Sequence, residues 1–182
     1  MKKLSNHFLI SAPFISDNIF KKSIVFICEH NNNGAMGIII NKPIDQNKTS
    51  ELLSEIGLNK LHHNPNIYFG GPVSLEVGHI LHESSYKNNN TLNISKSISL
   101  TSNDKIIQDI LNGLGPKKFR FSLGYTGWSK NQLENEIDNG DWMIIPATNQ
   151  FIFDIPDKNK WNYATKNLGF DFKNLAGISG KS

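Results

Sequence analysis

Residues 23–43, SIVFICEHNNNGAMGIIINKP, carry the reading on which the fold turns. The first seven, SIVFICE, are β-branched and aromatic between polar flanks, the composition of a largely buried strand. Asn31, Asn32, Asn33 and Gly34 then supply a turn. GAMGIIINKP gives a second strand over residues 37–41, stopped by Pro43, which lacks the backbone donor that a central strand needs. The two strands are placed to form a hairpin whose loop is longer than a tight primed turn.

Outward from this pair, Leu52, Leu53 and Ile56 share one face of a short predicted helix over 49–58, with Gly57 near its stop. A third strand, 67–69, enters the turn GGPV and a fourth, 78–82, leaves it. Residues 86–90 read as a polar loop, after which Leu92, Ile94, Ile98 and Leu100 alternate loosely with polar residues, as in one or two half-exposed strands. The clearest helix runs over 101–112: Thr101 and Asp104 have capping-box spacing, and Ile106, Ile107, Ile110, Leu111 and Leu114 form one apolar stripe. Gly113, Gly115 and Pro116 end it. A strand over 119–124 follows, then a capped helix opened by Ser129 and Gln132, strands over 142–145 and 151–153, and a helix over 159–168. Trp161, Ala164 and Leu168 mark the inner face of that last helix and Gly169 its stop. Strands outnumber helices without alternating regularly with them, which points to a mixed, mostly antiparallel α+β fold. With no repeat, linker or low-complexity block, residues 1–182 read as a single domain with a loose tail from about residue 177.

The composition narrows the function classes. A chain of 182 residues, 38% hydrophobic and 10% aromatic, holds one core and folds without a partner. The net charge of +3 is nearly all lysine, because Arg120 is the only arginine. The lysines stand as separate pairs (Lys2/Lys3, Lys21/Lys22, Lys117/Lys118) and not as a stripe, which disfavours sequence-specific DNA readout. A genome biased toward A and T would yield the same surplus of Lys, Asn and Ile. One cysteine, Cys28, allows no internal disulfide, the apolar stretch after Met1 is too short and interrupted for a signal peptide, and no run approaches a membrane span. The expectation is a cytoplasmic protein without membrane contact.

Three glycine-rich junctions remain: GAMGIIINKP (34–43), GGPVSLEVGHILHE (70–83) and LGYTGWSKNQLENEI (123–137). With FLISAPF near the start, CEH before the first junction and FDIP near the end, they follow in order and register from about Phe8 to about Gly177. In this combination the chain resembles the AlgH/YqgE family. The resemblance implies a bulged antiparallel sheet curling toward a barrel, with helices packed outside. The family is described as uncharacterised or as candidate transcriptional regulators, and offers no catalytic residues to carry over. Two departures stand out: Thr126 where alanine is usual, and Asn131 where glycine is usual, the second able to alter the turn into the helix.

Individual motifs favour bland chemistry. GAMG lacks the spacing of a phosphate loop, and Pro72 removes a donor from GGPV, so the glycines serve turns and close strand approach. Cys28 and His30 would share a face if the strand ran on through them, but they would stand roughly 6 to 7 Å apart, too far for a nucleophile and its base. Sharing its face with Ile24 and Phe26, Cys28 reads as a buried thiol. His79 and His82, three apart, would point to opposite faces of a strand, and adjacent His62 and His63 diverge, so no metal is expected, and no cofactor. The turn around Tyr125 and Trp128 is rich in aromatic and polar side chains, and pockets are often built this way. Asn41, His82, Tyr125 and Trp128 are therefore the candidate ligand-binding residues. The leading expectation is a non-enzymatic domain that binds a small molecule or protein partner, with an indirect effect on gene expression. The alternative is an enzyme, for instance a hydrolase, with its pocket where the three junctions meet.

Overall fold

The computed structural model describes residues 3–55 and 65–168. In order it contains β1 (His7–Ser11), β2 (Ile24–Asn31), β3 (Gly34–Ile39), α1 (Gln46–Glu55), β4 (Ile67–Phe69), β5 (Val73–Glu83), β6 (Thr91–Asn93) and β7 (Ile98–Thr101). There follow α2 (Asp104–Leu111), β8 (Phe119–Ser129), α3 (Gln132–Asp138), β9 (Trp142–Pro146), α4 (Asn149–Phe153) and α5 (Asp157–Asn167).

The strands join in the order β6, β7, β5, β8, β3, β2, β1, β9, and the sheet curls into a half-barrel. β4 lies off this path and pairs with β8 in parallel; the other pairings are antiparallel. β2 and β3 form the hairpin that the sequence suggests. Ile24, Val25, Phe26 and Ile27 are all wholly buried because β2 is central and both its faces are covered. Ile24 and Phe26 pack with Phe8, Ile10, Ile38 and Ile40 beneath α4 and α5, whose Phe151, Ile152, Trp161 and Ala164 close that side. Val25 and Ile27 pack on the other face with Leu9, Ile39, Trp128, Trp142 and Leu133 of α3. A third cluster joins Leu53 of α1 and Ile106 and Ile110 of α2 to Ile67, Ile80 and Phe121.

β8 unites the sheet. Its first half pairs with β4 and β5 through Phe121, Ser122 and Leu123, and its second half pairs with β3 from Thr126 to Ser129. Between the halves Gly124 takes a φ of +69°, and Gly71, with a φ of +152°, passes so close that a Cβ on it would lie 2.2 Å from the carbonyl of Tyr125. Only glycine permits this crossing.

Several boundaries differ from those the sequence suggests. The N-cap of α2 is Asn103, whose side chain accepts from the backbone of Ile106, while Thr101 is buried at the end of β7. Leu114 is exposed beyond the helix, so it does not extend the stripe. Residues 151–153 are helical and not a strand: Thr148 caps α4 by accepting from Phe151, and a short aromatic run takes whichever geometry its cap favours. α3 begins at Gln132 behind Asn131, and Gln132 reaches back to the backbone and hydroxyl of Ser129, which ends β8. Asn131 itself takes a left-handed φ of 63°, the conformation that asparagine tolerates best after glycine, so the turn keeps its shape. β1 had no strand reading in the sequence. The predicted helix end at 56–58 and the tail from 177 lie outside the described residues.

Gly71→Ala is expected to lower stability by about 1–3 kcal/mol through overpacking against β8. Gly127→Ala, whose added Cβ would meet only the Tyr125 ring at 3.4 Å, should stay within about 1 kcal/mol of the parent. Urea midpoints of the two variants check the contrast.

Candidate functional site

A bulge in β2 shapes one face of the hairpin. The register with β3 shifts between Ile27 and Glu29, so Cys28 and Glu29 lie toward the same side of the sheet and His30 passes to the other. Cys28 therefore joins the cluster with Phe26 and Ile38, and Glu29 pairs with Met36 beside it. His30, 4% exposed, accepts at Nδ1 from the backbone of Leu4 (3.1 Å) and donates from Nε2 to Glu134 (2.9 Å). The bulge thus separates the cysteine from the histidine. Burial, with Glu29 nearby, pushes the Cys28 thiol well above its ordinary range.

On the Glu29 face a cleft of about 450 Å³ opens between the β2–β3 hairpin and β8. Glu29, Met36 and Tyr125 contribute walls, and Gly127 leaves a gap where a side chain would stand. At the rim, Asn31 donates from its side-chain amide to Glu29 (2.7 Å) and accepts from the backbone of Asn33 (2.8 Å), which presets the hairpin tip. Tyr125 meets His79 edge-on at 5.8 Å between ring centroids. His79 is 6% exposed; its Nδ1 is 2.7 Å from the Ser102 hydroxyl, and its Nε2 has no partner among the described residues. Burial lowers its pKa, which favours the neutral ring.

The four candidate residues do not share one cleft. Tyr125 and Trp128 both line the hairpin cleft, yet they stand three apart on β8 and serve opposite faces: Tyr125 packs beside Met36, Trp128 beside Leu133 and Trp142. Trp128 and Trp142 each donate 2.8 Å bonds to the same Glu136 oxygen, which fixes both indoles. His82 is wholly buried between the Glu83 carbonyl (2.8 Å) and the Thr101 hydroxyl (2.9 Å), and burial lowers its pKa. Asn41 lies at a separate cleft, where its side chain accepts from Ile24 (2.8 Å) and donates to Lys22 (2.9 Å). His62 and His63 lie outside the described residues; among those described, no group of three or more His, Cys, Asp or Glu converges as a metal site.

The only arginine builds a cluster that the sequence does not reveal. Arg120 is 8% exposed on β8 and donates to the carbonyls of Ile152 (2.6 Å) and Ile40 (3.1 Å) and to Asp157 (2.9 Å), with its guanidinium 4.5 Å over the Tyr68 ring. Asp157 also accepts from the Tyr68 hydroxyl (2.9 Å) and from Lys160 (3.1 Å). Lys160 is wholly buried and donates to the Ile155 carbonyl as well; burial, then the charge of Arg120, bring its pKa down to about 8. The guanidinium contacts tie β8 to the residue after β3, to α4 and to α5, and Asp157 ties β4 to α5, the arrangement of a structural hub.

An α+β half-barrel with a shared central strand and an open hairpin cleft is thus the class that the fold defines. An AlgH-like family model matches residues 8–173, and the chain belongs to that family. A UPF0301 protein of Shewanella baltica (strain OS195) is 40% identical over 177 residues, 94% of each chain, and one of Thiobacillus denitrificans is 39% identical over 179 residues, 97% of this chain and 96% of the other. The solution structure of AlgH from Pseudomonas aeruginosa superposes with a TM-score of 0.78 at 32% identity, covering 100% of this chain and 97% of that one. A crystal structure of a protein from Corynebacterium diphtheriae shares the fold at a TM-score of 0.73 and 18% identity, covering 92% of this chain and 88% of that one. No helix among the described residues is long and apolar enough to cross a membrane.

Cys28 is expected to resist alkylation by iodoacetamide in the folded protein at mildly alkaline pH and to react completely in denaturant, as followed by mass spectrometry. Lys160 has a testable pH signature. Its folded pKa of about 8 lies below the ordinary 10.5, so between those values the unfolded chain holds the extra proton and the Lys160 contribution to stability rises with pH. Urea midpoints should therefore climb in the parent relative to Lys160→Met across that window and run parallel below it.

Proposed function

We propose that the protein is a binding domain that takes an amphipathic ligand or partner segment in the hairpin cleft, and that its influence on gene expression is exerted through that partner in the cytoplasm. The observation that carries the reading is the gap above Gly127, walled by the Met36 and Tyr125 side chains and rimmed by Glu29 and the hairpin-tip amides. An apolar group fits beside Met36 and Tyr125, and hydrogen-bonding groups meet Glu29 and Asn31. The volume of about 450 Å³ is that of a small-molecule site.

Two further facts support binding over catalysis. Cys28 is buried and protonated, and His30 and His82 have both ring nitrogens occupied. Direct base readout is also disfavoured, because the only guanidinium is committed inside the Arg120 hub.

The test is native mass spectrometry of freshly purified protein, followed by a thermal-shift screen of aromatic fragments on the parent, Tyr125→Ala and Gly127→Val. Compounds that stabilise the parent should lose most of their effect in both variants. Equal stabilisation of all three proteins removes the cleft from consideration, and tight, promoter-selective DNA binding by the isolated chain at physiological salt overturns the indirect role.

A further inference from the structure

The lysines that stand apart in the sequence converge in the fold. Lys21 and Lys22 precede β2, Lys42 follows β3, and Lys158 opens α5, yet all four line one cleft of about 270 Å³ together with Asn41 and Trp161. Among the described residues none of the four ammonium groups forms a salt bridge. Asp157, the carboxylate in the lining, is already shared by Arg120, Lys160 and the Tyr68 hydroxyl. Asp17 acts on Lys42 through space and accepts from the backbone of Ile19. Six cations at or just behind this wall thus face three carboxylates, Asp17, Asp157 and, acting on Lys160, Asp154. Gathering like charge costs folding energy unless a counter-charge occupies the centre.

The cleft is also held in shape. Lys22 takes a left-handed φ of 54°, a conformation costly for a lysine, and Asn41 clamps that turn by bonding its carbonyl and the following Ile24 amide. Lys42 is anchored by the carbonyls of Asn18 and Ile19. The buried Trp161 indole donates to Ser11, and Lys22 stands 5.8 Å over its ring, so the floor of the cleft is fixed. The N-terminal end of α5, at Asp157 and Lys158, adds the positive pole of its dipole.

We propose that this cleft binds the phosphate group of a small phosphorylated molecule. Lysine ammonium groups suit phosphate as point charges. The concave volume of about 270 Å³ fits a small ligand and not a duplex or a bilayer surface. The site is independent of the hairpin cleft.

The experiment is an NMR titration of the full ¹⁵N-labelled chain with inorganic phosphate and with ribose 5-phosphate, at about pH 7.5, where a phosphate monoester is mostly dianionic. Ionic strength is held constant with sodium chloride. Saturable shifts of the Trp161 indole N–H and of the Lys42 and Lys158 amides are expected. Lys22→Gln/Lys158→Gln should weaken binding at least about tenfold with a melting temperature of the free protein no lower than the parent's, since both side chains are exposed, like-charge repulsion is relieved and charge-assisted contacts to the ligand are lost. If that pair of changes unfolds the chain, Lys158→Gln alone replaces it. Gly127→Val should bind phosphate like the parent, which separates this site from the hairpin cleft. Shifts that follow chloride alone overturn the proposal, as does a result in which single-stranded RNA or phosphatidylserine vesicles engage this face while both phosphates do not.

Discussion

The backbone crossing at Gly71 and Gly124 is the constraint on which the architecture rests. β8 pairs with β4 through its first half and with β3 through its second, while β5 pairs with it on both sides of Gly124. The left-handed Gly124 provides a bend, and the missing side chain of Gly71 lets the incoming segment pass against the Tyr125 carbonyl. If the two backbones stood farther apart, the half-barrel would divide into two separate sheets, and the three apolar clusters would lose their common wall. The glycine junctions are thus a steric device first, and the clefts are consequences of where that device places the neighbouring strands.

The Arg120 hub secures the closed side of the half-barrel. A buried cation is costly unless its hydrogen bonds are satisfied, and here two carbonyls, one carboxylate and one aromatic face meet it. Because those partners come from the residue after β3 and from β4, α4 and α5, the guanidinium demands that all four elements arrive together. The net gain in stability over an apolar replacement is small by the same reasoning, so its principal effect is on the uniqueness of the arrangement. It also fixes Asp157, and with it the start of α5 and the position of Lys158.

Whatever depended on composition was legible in the sequence. The run IVFI is buried on both faces because no polar residue interrupts it, and the short strand 67–69 was marked by its flanking turns. Where two geometries competed for one short segment, the sequence was ambiguous. FIF reads as a strand by residue type, but Thr148 supplies a cap and the segment becomes α4. Thr101 and Asn103 both fit a cap position, and the demand for a partner on β5 took Thr101 into the sheet. The candidate sites were legible only in fragments. Tyr125 was visible as an aromatic beside glycine, but the bulge at Cys28 that turns Glu29 toward it leaves no signature in a run of apolar residues. The lysine pairs looked dispersed because their convergence belongs to topology: the hairpin returns Lys42 to Lys22, and α5 crosses back over β1.

Both clefts lie on the same hairpin, at its opposite ends. The Lys22 and Lys42 end is where β2 begins and β3 finishes, and the Asn31 and Gly34 end is where the strands turn, roughly 26 to 30 Å away at the usual rise per residue. The ladder between them is the most deeply buried part of the molecule, packed on both faces. Energetic coupling between distant sites needs an intervening element with two accessible arrangements, and a register locked by two cores has one. The hairpin is therefore a rigid spacer between the two clefts, and a change at one should leave the geometry of the other unchanged. That separation follows from the same apolar run, SIVFICE, that set the fold: it is buried on both faces, and so the two clefts open only where it starts and stops.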